Sequence, residues 1–417
     1  MISGDRRRAD TLTIREQITI YAVMLVASLS YNYSFILIDY IRPFLVRDAG
    51  MSLAETTLLY SVQAGGVIGG SFLMPVLVAR FGARTVLIGC SLTLAACTFA
   101  NQQMRGFVPW AIARAIVGVV LPGCYVASIS YLANVFPPRL RGRLLSINMA
   151  MFSVSLMTFG ALGSLLGDDG WRVLVRIAAT LPVIVAIVTF AFLPDDRLLV
   201  VYANDDESGA MNDEQGRWAE MFSGGKLRLT LACILLAGLN FSAYQFYSGF
   251  ITTYLLDVRH FTSQTIGVIV AVDGIGTLLG TFVWGAVADR YGRKYNLLGF
   301  ILAAGCVGLF LTAPSYLPLL IAIELAYALG LSCTNCWAAY FAELFPVRLR
   351  PMGTSLFHGG HVISLFAPLI VATIAKHAPL AVGMALAPLS FLAAAIIWSQ
   401  LPETLKTGRL FKGFAPA

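Results

Sequence analysis

Charged residues are scarce in this chain of 417 amino acids. Asp, Glu, Lys and Arg make up 12% of the sequence, whereas a soluble protein carries about 25%. Hydrophobic residues make up 58%, and the mean hydropathy is +0.77. This composition excludes an ordinary soluble globular protein and is typical of a chain embedded in a lipid bilayer.

Motifs for metal, redox or phosphate chemistry are also scarce. There are four histidines, and the seven cysteines all lie in hydrophobic stretches. The Cys-x-x-Cys pattern at Cys333 and Cys336 has no further ligands nearby, so packing is its favoured interpretation. The sequence shows no phosphate-cradling loop and no grouped nucleophile, base and oxyanion donor. We therefore expect no cofactor, no metal ion and no enzymatic activity.

Long hydrophobic runs are what the sequence has instead. About 20 apolar residues, each rising 1.5 Å in a helix, cross the roughly 30 Å of bilayer hydrocarbon. The predicted spans, numbered 1 to 12, are 17–45, 56–78, 85–101, 107–136, 144–166, 173–193, 229–256, 265–288, 295–313, 316–341, 352–376 and 380–401. The sequence predicts an all-α, multi-pass membrane protein.

Basic residues give the expected orientation. They concentrate at both ends and in the even-numbered loops, which places both termini in the cytoplasm. The net charge of +7 then faces anionic lipid, and no nucleic-acid partner is needed. We expect a monomer in a cell membrane, most simply a bacterial inner membrane, with no cleaved signal.

The single long loop divides the chain. The expected organisation is a cytoplasmic tail (1–16), a six-helix bundle (17–193), a cytoplasmic linker (194–228), a second six-helix bundle (229–401) and a cytoplasmic tail (402–417). The linker is rich in acidic residues and is expected to be a solvated tether. Its stretch 217–222 has an alternative, a short amphipathic helix at the membrane surface.

The two halves repeat each other. Phe-Pro-Pro-Arg-Leu-Arg at 136–141 returns as Phe-Pro-Val-Arg-Leu-Arg at 345–350, and Ala-Arg-Phe-Gly-Ala-Arg at 79–84 returns as Asp-Arg-Tyr-Gly-Arg-Lys at 289–294. In the same register, Gln63 falls opposite Asp273. The pair Gly66 and Gly70 falls opposite Gly276 and Gly280. Small residues at this spacing allow close helix approach, and we expect a moving interface there, with static packing as the alternative.

These motifs resemble those of the major facilitator superfamily of secondary transporters. The most specific is Gly-Ala-Val-Ala-Asp-Arg-Tyr-Gly-Arg-Lys at 285–294, and Arg-Ala-Ile-Val-Gly at 114–118 matches a weaker pattern. The strings 131–141 and 340–350 are similar to those of sugar and organic-acid carriers, including aromatic acid:proton symporters. The resemblance implies two pseudo-symmetric six-helix bundles that expose a substrate site to each side in turn.

The resemblance also implies a gate in the loops that carry the repeated strings. The expected gating residues are Asp289, Arg290, Gly292, Arg293, Lys294, Arg80, Gly82, Arg84, Arg139 and Arg348. In this family the loop carboxylate meets the positive end of a helix in the other half. Asp289 can do this at the start of span 5, whereas Ala79 cannot do it in the first half. The resemblance therefore implies a one-sided cytoplasmic latch.

Ionisable residues inside the spans are the strongest functional signal, because each costs at least about 2.5 kcal/mol at a helix centre. Asp273 and Glu324, with Asp39 near the end of span 1, are the candidates for proton coupling. Arg114 stays charged, so it either binds an anionic substrate or holds an acid ionised. A static pair of Arg114 with Glu324 is the alternative.

Polar and aromatic residues within the spans are the candidates for substrate contact. Besides Arg114 they are Tyr31, Asn32, Tyr33, Gln63, Asn240, Tyr244, Gln245, Tyr247, His358 and His361. Such side chains supply hydrogen bonds and flat surfaces for a ring or a hydroxylated substrate. Helix packing is the alternative for the aromatic residues and the histidines.

The sequence therefore predicts a secondary transporter that takes up a small organic anion, such as an aromatic or sugar acid, together with protons. Its partners would be the small-molecule substrate, protons and the lipid bilayer. One alternative is a proton-antiporting exporter of drugs or metabolites, and another is a membrane receptor that does not transport.

Overall fold

The computed structural model describes residues 7–8, 12–136, 138–168, 170–195, 199–200, 219–346 and 349–405. In this part of the chain, 12 helices are long and apolar enough to cross a membrane. The first six are α1 (Ile14–Asp48), α2 (Leu53–Phe81), α3 (Ala83–Asn101), α4 (Phe107–Val135), α5 (Pro138–Met149 and Met151–Leu166) and α6 (Gly170–Phe192). The twelve predicted spans are thus confirmed.

Several helices of the second half are interrupted. They are α7 (Lys226–Tyr247, Ile251–Thr253 and the π-helical Tyr254–Val258), α8 (Ser263–Arg290), α9 (the 3-10 segment Arg293–Asn296 and Leu297–Thr312), α10 (Leu317–Leu331, the 3-10 segment Ser332–Cys336 and Trp337–Glu343), α11 (Arg350–Gly359, His361–Ser364 and Ala367–Ile374) and α12 (Leu380–Met384 and Leu386–Gln400). Among the described residues, extended pairing is limited to β1 (Arg7–Arg8) and β2 (Leu199–Val200), which run parallel. The amphipathic helix considered at 217–222 falls partly outside the described residues.

Helix starts follow local sequence signals. Thr13 caps α1 and Ser52 caps α2, and in each case a glutamate three residues later, Glu16 or Glu55, completes a capping box. Thr262 caps α8 through its side-chain oxygen. These caps satisfy N–H groups that the first helical turn leaves without partners.

The chain divides into two compact units. Unit 1 contains residues 1–155 and 169–212, and unit 2 contains residues 156–168 and 213–417. The division falls within α5, because residues 156–168 group with unit 2, whereas the expected first bundle contains all of 17–193. An added Cβ at Gly160 would lie 2.2 Å from the Ala271 nitrogen of α8. Backbone contact this close holds the second part of α5 on α8.

The repeated glycine pairs pack inside their own units. A Cβ at Gly70 would lie 2.2 Å from the carbonyl oxygen of Val119 on α4, and a Cβ at Gly280 would lie 2.6 Å from that of Leu329 on α10. Both partners of each contact belong to one unit, which favours the alternative of static packing, and the moving interface stays a prediction.

The repeat extends to a contact that anchors each unit's last helix. The Tyr131 hydroxyl of α4 donates to the Pro194 carbonyl after α6. The Tyr340 hydroxyl of α10 donates to the Pro402 carbonyl after α12 at 2.7 Å. Both tyrosines belong to the repeated strings, so the duplicated sequence makes a duplicated hydrogen bond.

Candidate functional site

In unit 1, close contact between α2 and α4 places Gln63 beside Arg114. A Cβ at Gly118 would lie 2.2 Å from the Gln63 carbonyl oxygen, so the two backbones touch. Arg114 lies one turn before Gly118, and its Nη1 donates to Gln63 Oε1 at 3.3 Å. Its guanidinium carbon also lies 5.9 Å from the Trp110 ring centroid.

Arg114 is completely buried, at 0% exposure. Its Nε and Nη2 atoms have no hydrogen-bond acceptor among the described residues. Burying a cation with unsatisfied donors is costly. A carboxylate would satisfy the planar guanidinium fork with two parallel hydrogen bonds.

Asp39 carries its own counter-ion. Arg42, three residues later on α1, donates from Nη2 to Asp39 Oδ1 at 2.8 Å, and both side chains are buried. Asp39 also interacts electrostatically with Arg114. A counter-ion at contact distance makes Asp39 the weakest of the three proton-coupling candidates.

The α1 residues predicted to contact substrate do not share one face. The Tyr31 ring lies 5.7 Å from the Tyr125 ring of α4, whereas Asn32 donates to the Ser28 carbonyl of its own helix at 2.8 Å. Tyr33 is fully buried. Successive residues of an α-helix point about 100° apart, so α1 offers Tyr31 together with Tyr125 rather than the whole stretch.

In unit 2, the acids and tyrosines form a buried polar cluster. The Tyr247 hydroxyl of α7 donates to Glu324 Oε2 of α10 at 2.6 Å. Asp273 of α8 interacts electrostatically with Glu324, and its Oδ1 accepts from the Thr277 hydroxyl at 3.3 Å. No salt bridge to either acid is present in the described ranges. Arg114 and Glu324 thus each make a hydrogen bond within their own unit, and a static pair between them stays a prediction.

The predicted α7 residues separate into two groups. Tyr247 and Gln245 are fully buried, and the Tyr247 hydroxyl is bonded to Glu324. Asn240 is buried with its Oδ1 lacking a hydrogen-bond donor among the described residues. Tyr244, four residues later and on the same face, is partly exposed.

The two histidines of α11 join an aromatic stack with α7. The His361 ring lies 4.2 Å from the Phe241 ring at an interplanar angle of 17°. The His358 ring lies 6.3 Å from the His361 ring, and Phe357 packs edge-on against both Phe241 and His358. In the described part of the chain, no group of three His, Cys, Asp or Glu side chains could hold a metal ion.

The loop between α8 and α9 is organised by two glutamates that the sequence did not single out. Glu403, after α12, accepts from the backbone N–H groups of Arg293 at 3.0 Å and Lys294 at 2.9 Å. Glu343, at the end of α10, pairs with Arg293 at 3.3 Å. Arg293 also donates to Asp289 at 2.9 Å, so the predicted latch residue has a local partner.

Gly292 is required in this loop. Its φ is +125°, a region that favours glycine, and a Cβ would lie 2.6 Å from Glu403 Oε2. In unit 1 the equivalent Gly82 has φ +83°.

The remaining basic loop residues make simpler contacts. Arg84 donates to the Phe190 carbonyl at 2.7 Å. Arg80 and Arg290 each lie over the aromatic ring that follows them in sequence. Arg139 belongs to α5 but its side chain falls outside the described part, and Arg348 falls outside the described residues altogether.

Of the residues that the sequence analysis did not identify, one had a weak signal in the repeat. Leu-Pro-Glu at 401–403 echoes Leu-Pro-Asp at 193–195, which could have identified Glu403. Tyr327 lies three residues after Glu324, on the same face of α10. Its hydroxyl shares a hydrogen bond of 2.8 Å with the Ser248 hydroxyl.

Comparison with known proteins agrees with this architecture. Residues 23–272 and 233–415 match the family model of the Major Facilitator Superfamily. The chain is 23% identical over 376 residues to the sialic acid transporter NanX of Escherichia coli, covering 88% of this chain and 89% of that protein. It is 23% identical over 355 residues to the cis,cis-muconate transport protein of Acinetobacter baylyi, covering 81% and 80%.

A solved structure, the inward-open conformation of the xylose transporter XylE from E. coli, superposes with a TM-score of 0.73 at 17% identity. The superposition covers 94% of this chain and 97% of that one. The likeness shows a shared fold of twelve helices in two six-helix bundles. The family match and the fold together show that this chain is a multi-pass membrane transporter belonging to the Major Facilitator Superfamily.

Proposed function

We propose that this transporter takes up a small organic anion together with protons. The observation that carries the proposal is Arg114, a fully buried cation with two guanidinium nitrogens unsatisfied in the described part of the chain. An anionic substrate with a carboxylate would satisfy both nitrogens at once. The two relatives support this chemistry, because sialic acid and cis,cis-muconate are both carboxylic acids.

Asp273 and Glu324 supply the proposed proton coupling. Both acids are buried, and they repel each other when both are ionised. A buried acid without a cation is a suitable proton carrier, because it gains and loses its proton as its access to water changes. One net charge moved inward gains about 2.3 kcal/mol per 100 mV of membrane potential.

The remaining substrate contacts are proposed for partly exposed or unsatisfied groups. Asn240 and Tyr244 offer hydrogen bonds from α7, and the His358–His361 pair offers ring faces from α11. Tyr31 offers a ring from α1. The proposal keeps the predicted orientation, with both termini in the cytoplasm, and a monomeric transporter in a cell membrane.

Counterflow in proteoliposomes tests the transport proposal directly. Purified protein would be reconstituted and assayed with labelled sialic acid, cis,cis-muconate, xylose and a cationic dye. We expect counterflow of an acid, and its accumulation when the outside is made acidic. Accumulation of the dye inside vesicles with an acidic interior, driven by protons moving out, would instead support a proton-antiporting exporter. Binding of a ligand without counterflow would support a receptor.

Two variants test the coupling acids. Glu324→Gln and Asp273→Asn should retain counterflow, which needs no net proton release, yet lose accumulation driven by a pH gradient. Glu220→Gln is the control, because Glu220 pairs with Lys226 on the surface at 2.9 Å. Accumulation that survives in both buried variants would contradict the assignment.

A further inference from the structure

Helix α7 loses its regular hydrogen bonding directly after Tyr247. The Gly249 N–H bonds the carbonyl of Tyr244, five residues back, at 3.1 Å, and the Phe250 N–H bonds the carbonyl of Tyr247 at 3.0 Å. The helix resumes at Ile251. Interruptions of this kind lower the cost of bending a helix and often occur at functional sites.

Two hydrogen bonds join this interruption to α10. Tyr247 donates to Glu324 at 2.6 Å, and Ser248 bonds Tyr327 at 2.8 Å. Glu324 and Tyr327 are three residues apart and share one face of α10. The point at which α7 can bend is therefore held by a proton-binding side chain and its neighbour.

The far end of α7 is anchored separately. Arg259 donates to the carbonyls of Phe310 and Leu311 in the last turn of α9, both at 3.2 Å, and to that of the following Ala313 at 2.8 Å. It also donates to the Tyr254 hydroxyl at 2.9 Å. A cation is favourable at a helix C-terminus. The segment from Ile251 onward is therefore held at its far end by Arg259, whereas its near end is held by the hydrogen bonds of Tyr247 and Ser248.

The surroundings of Glu324 make Tyr247 important to its charge. The titratable groups that interact with Glu324 are Tyr247 of α7, Asp273 of α8, Cys306 of α9 and Tyr327 of α10. None of them is a cation, and Tyr247 is the hydrogen-bond donor recorded for this carboxylate in the described part of the chain. An ionised Glu324 therefore depends on the Tyr247 hydroxyl.

We propose that Tyr247 is a positioning residue that couples the proton state of Glu324 to the bend in α7. The inference rests on the proposed role of Glu324 in proton coupling. When Glu324 is ionised, its charge-assisted hydrogen bond holds Tyr247 on α10. When Glu324 takes up a proton, the bond becomes an ordinary neutral one of about half the strength, and residues 248–253 gain freedom to move.

Infrared difference spectroscopy tests the positioning role without any substrate. Purified protein in lipid would be titrated with acid, and the protonated carboxyl band of Glu324 identified by its loss in Glu324→Gln. In Tyr247→Phe the ionised form loses its donor, so the proton is bound at higher pH. We expect the midpoint of the band to rise by about one pH unit, a tenfold change in proton affinity.

Tyr340→Phe is the matched control, because it removes a buried tyrosine hydroxyl bonded to the Pro402 carbonyl. Its midpoint should equal that of the wild type. A Tyr247→Phe midpoint equal to that of the wild type would overturn the positioning role.

Hydrogen–deuterium exchange tests the bend. Amides of residues 248–253 should exchange several-fold faster in Glu324→Gln and Tyr247→Phe than in wild type at neutral pH, and Tyr340→Phe should match the wild type. Equal exchange in all four proteins would overturn the coupling. Neither measurement needs transport, so failure of the proposed uptake would be seen separately, as an absence of pH-driven accumulation in proteoliposomes.

Discussion

At the scale of the residue, Arg114 is distinguished by what surrounds it rather than by its charge alone. Arg42 is buried as well, but it neutralises Asp39 at 2.8 Å. Arg114 has a neutral amide, Gln63, as its hydrogen-bond partner. A buried cation that is not neutralised at contact distance is suited to bind an anion that arrives and leaves.

Arg114→Gln should weaken organic-acid transport by raising the KM for the acid. Loss of a buried, hydrogen-bonded charge contact costs about 2–5 kcal/mol, which corresponds to at least about a 30-fold weaker affinity. Arg114→Lys should recover part of the loss, because it keeps the charge without the planar fork. Uptake kinetics in proteoliposomes give the comparison.

Arg105→Gln serves as the control, since Arg105 is exposed in the connection before α4 and its loss should leave KM unchanged. An unchanged KM in Arg114→Gln would show that Arg114 does not contact substrate.

At the scale of the element, α2 contains two pairs of adjacent glycines, and the two members of each pair have different environments. Gly66 and Gly70 touch α4, whereas Gly65 and Gly69 have nothing within 4 Å of an added Cβ. The same sequence stretch thus contains its own matched controls.

Gly70→Ala should destabilise the protein and Gly69→Ala should not. The added methyl at Gly70 would lie 2.2 Å from the Val119 carbonyl oxygen, and forcing apart packed helices costs about 1–3 kcal/mol. We expect a fall in Tm of several degrees for Gly70→Ala, measured by thermal unfolding in detergent. A Tm equal to that of Gly69→Ala would mean that α2 and α4 separate without cost.

Arg114 depends on this same contact, because α4 must approach α2 closely for Gln63 to reach the guanidinium. Gly70→Ala should therefore also weaken substrate affinity, to a smaller extent than Arg114→Gln.

At the scale of the whole molecule, the predicted one-sided latch remains a prediction. The Asp289 side chain is 76% exposed and pairs with Arg293, while Ala79 occupies the equivalent place in the first half. A carboxylate that has a weak surface partner is free to exchange it for a helix N-terminus at little cost.

A cytoplasmic latch holds the inner side of the transporter closed, so Asp289→Asn should increase the population of inward-open molecules. Ala79→Asn, which places the same amide at the equivalent position, should change that population much less. The measurement is the accessibility of single cysteines introduced at either predicted mouth of the transport path, read with impermeant thiol reagents from each side. Equal accessibility in wild type and Asp289→Asn would rule out the latch.

The sequence by itself determined the twelve spans, the repeat and the family. It also identified Arg114, Asp273 and Glu324 as ionisable residues inside hydrophobic spans. These follow from hydrophobic length and from motifs within single loops, which depend on local residues. Only the tertiary structure decided the partners: Gln63 for Arg114, Tyr247 for Glu324, and Glu403 for the Arg293 loop. Which partner each side chain contacts depends on the rotation of its helix and on how closely the neighbouring helix approaches. The sequence of a single span does not determine either.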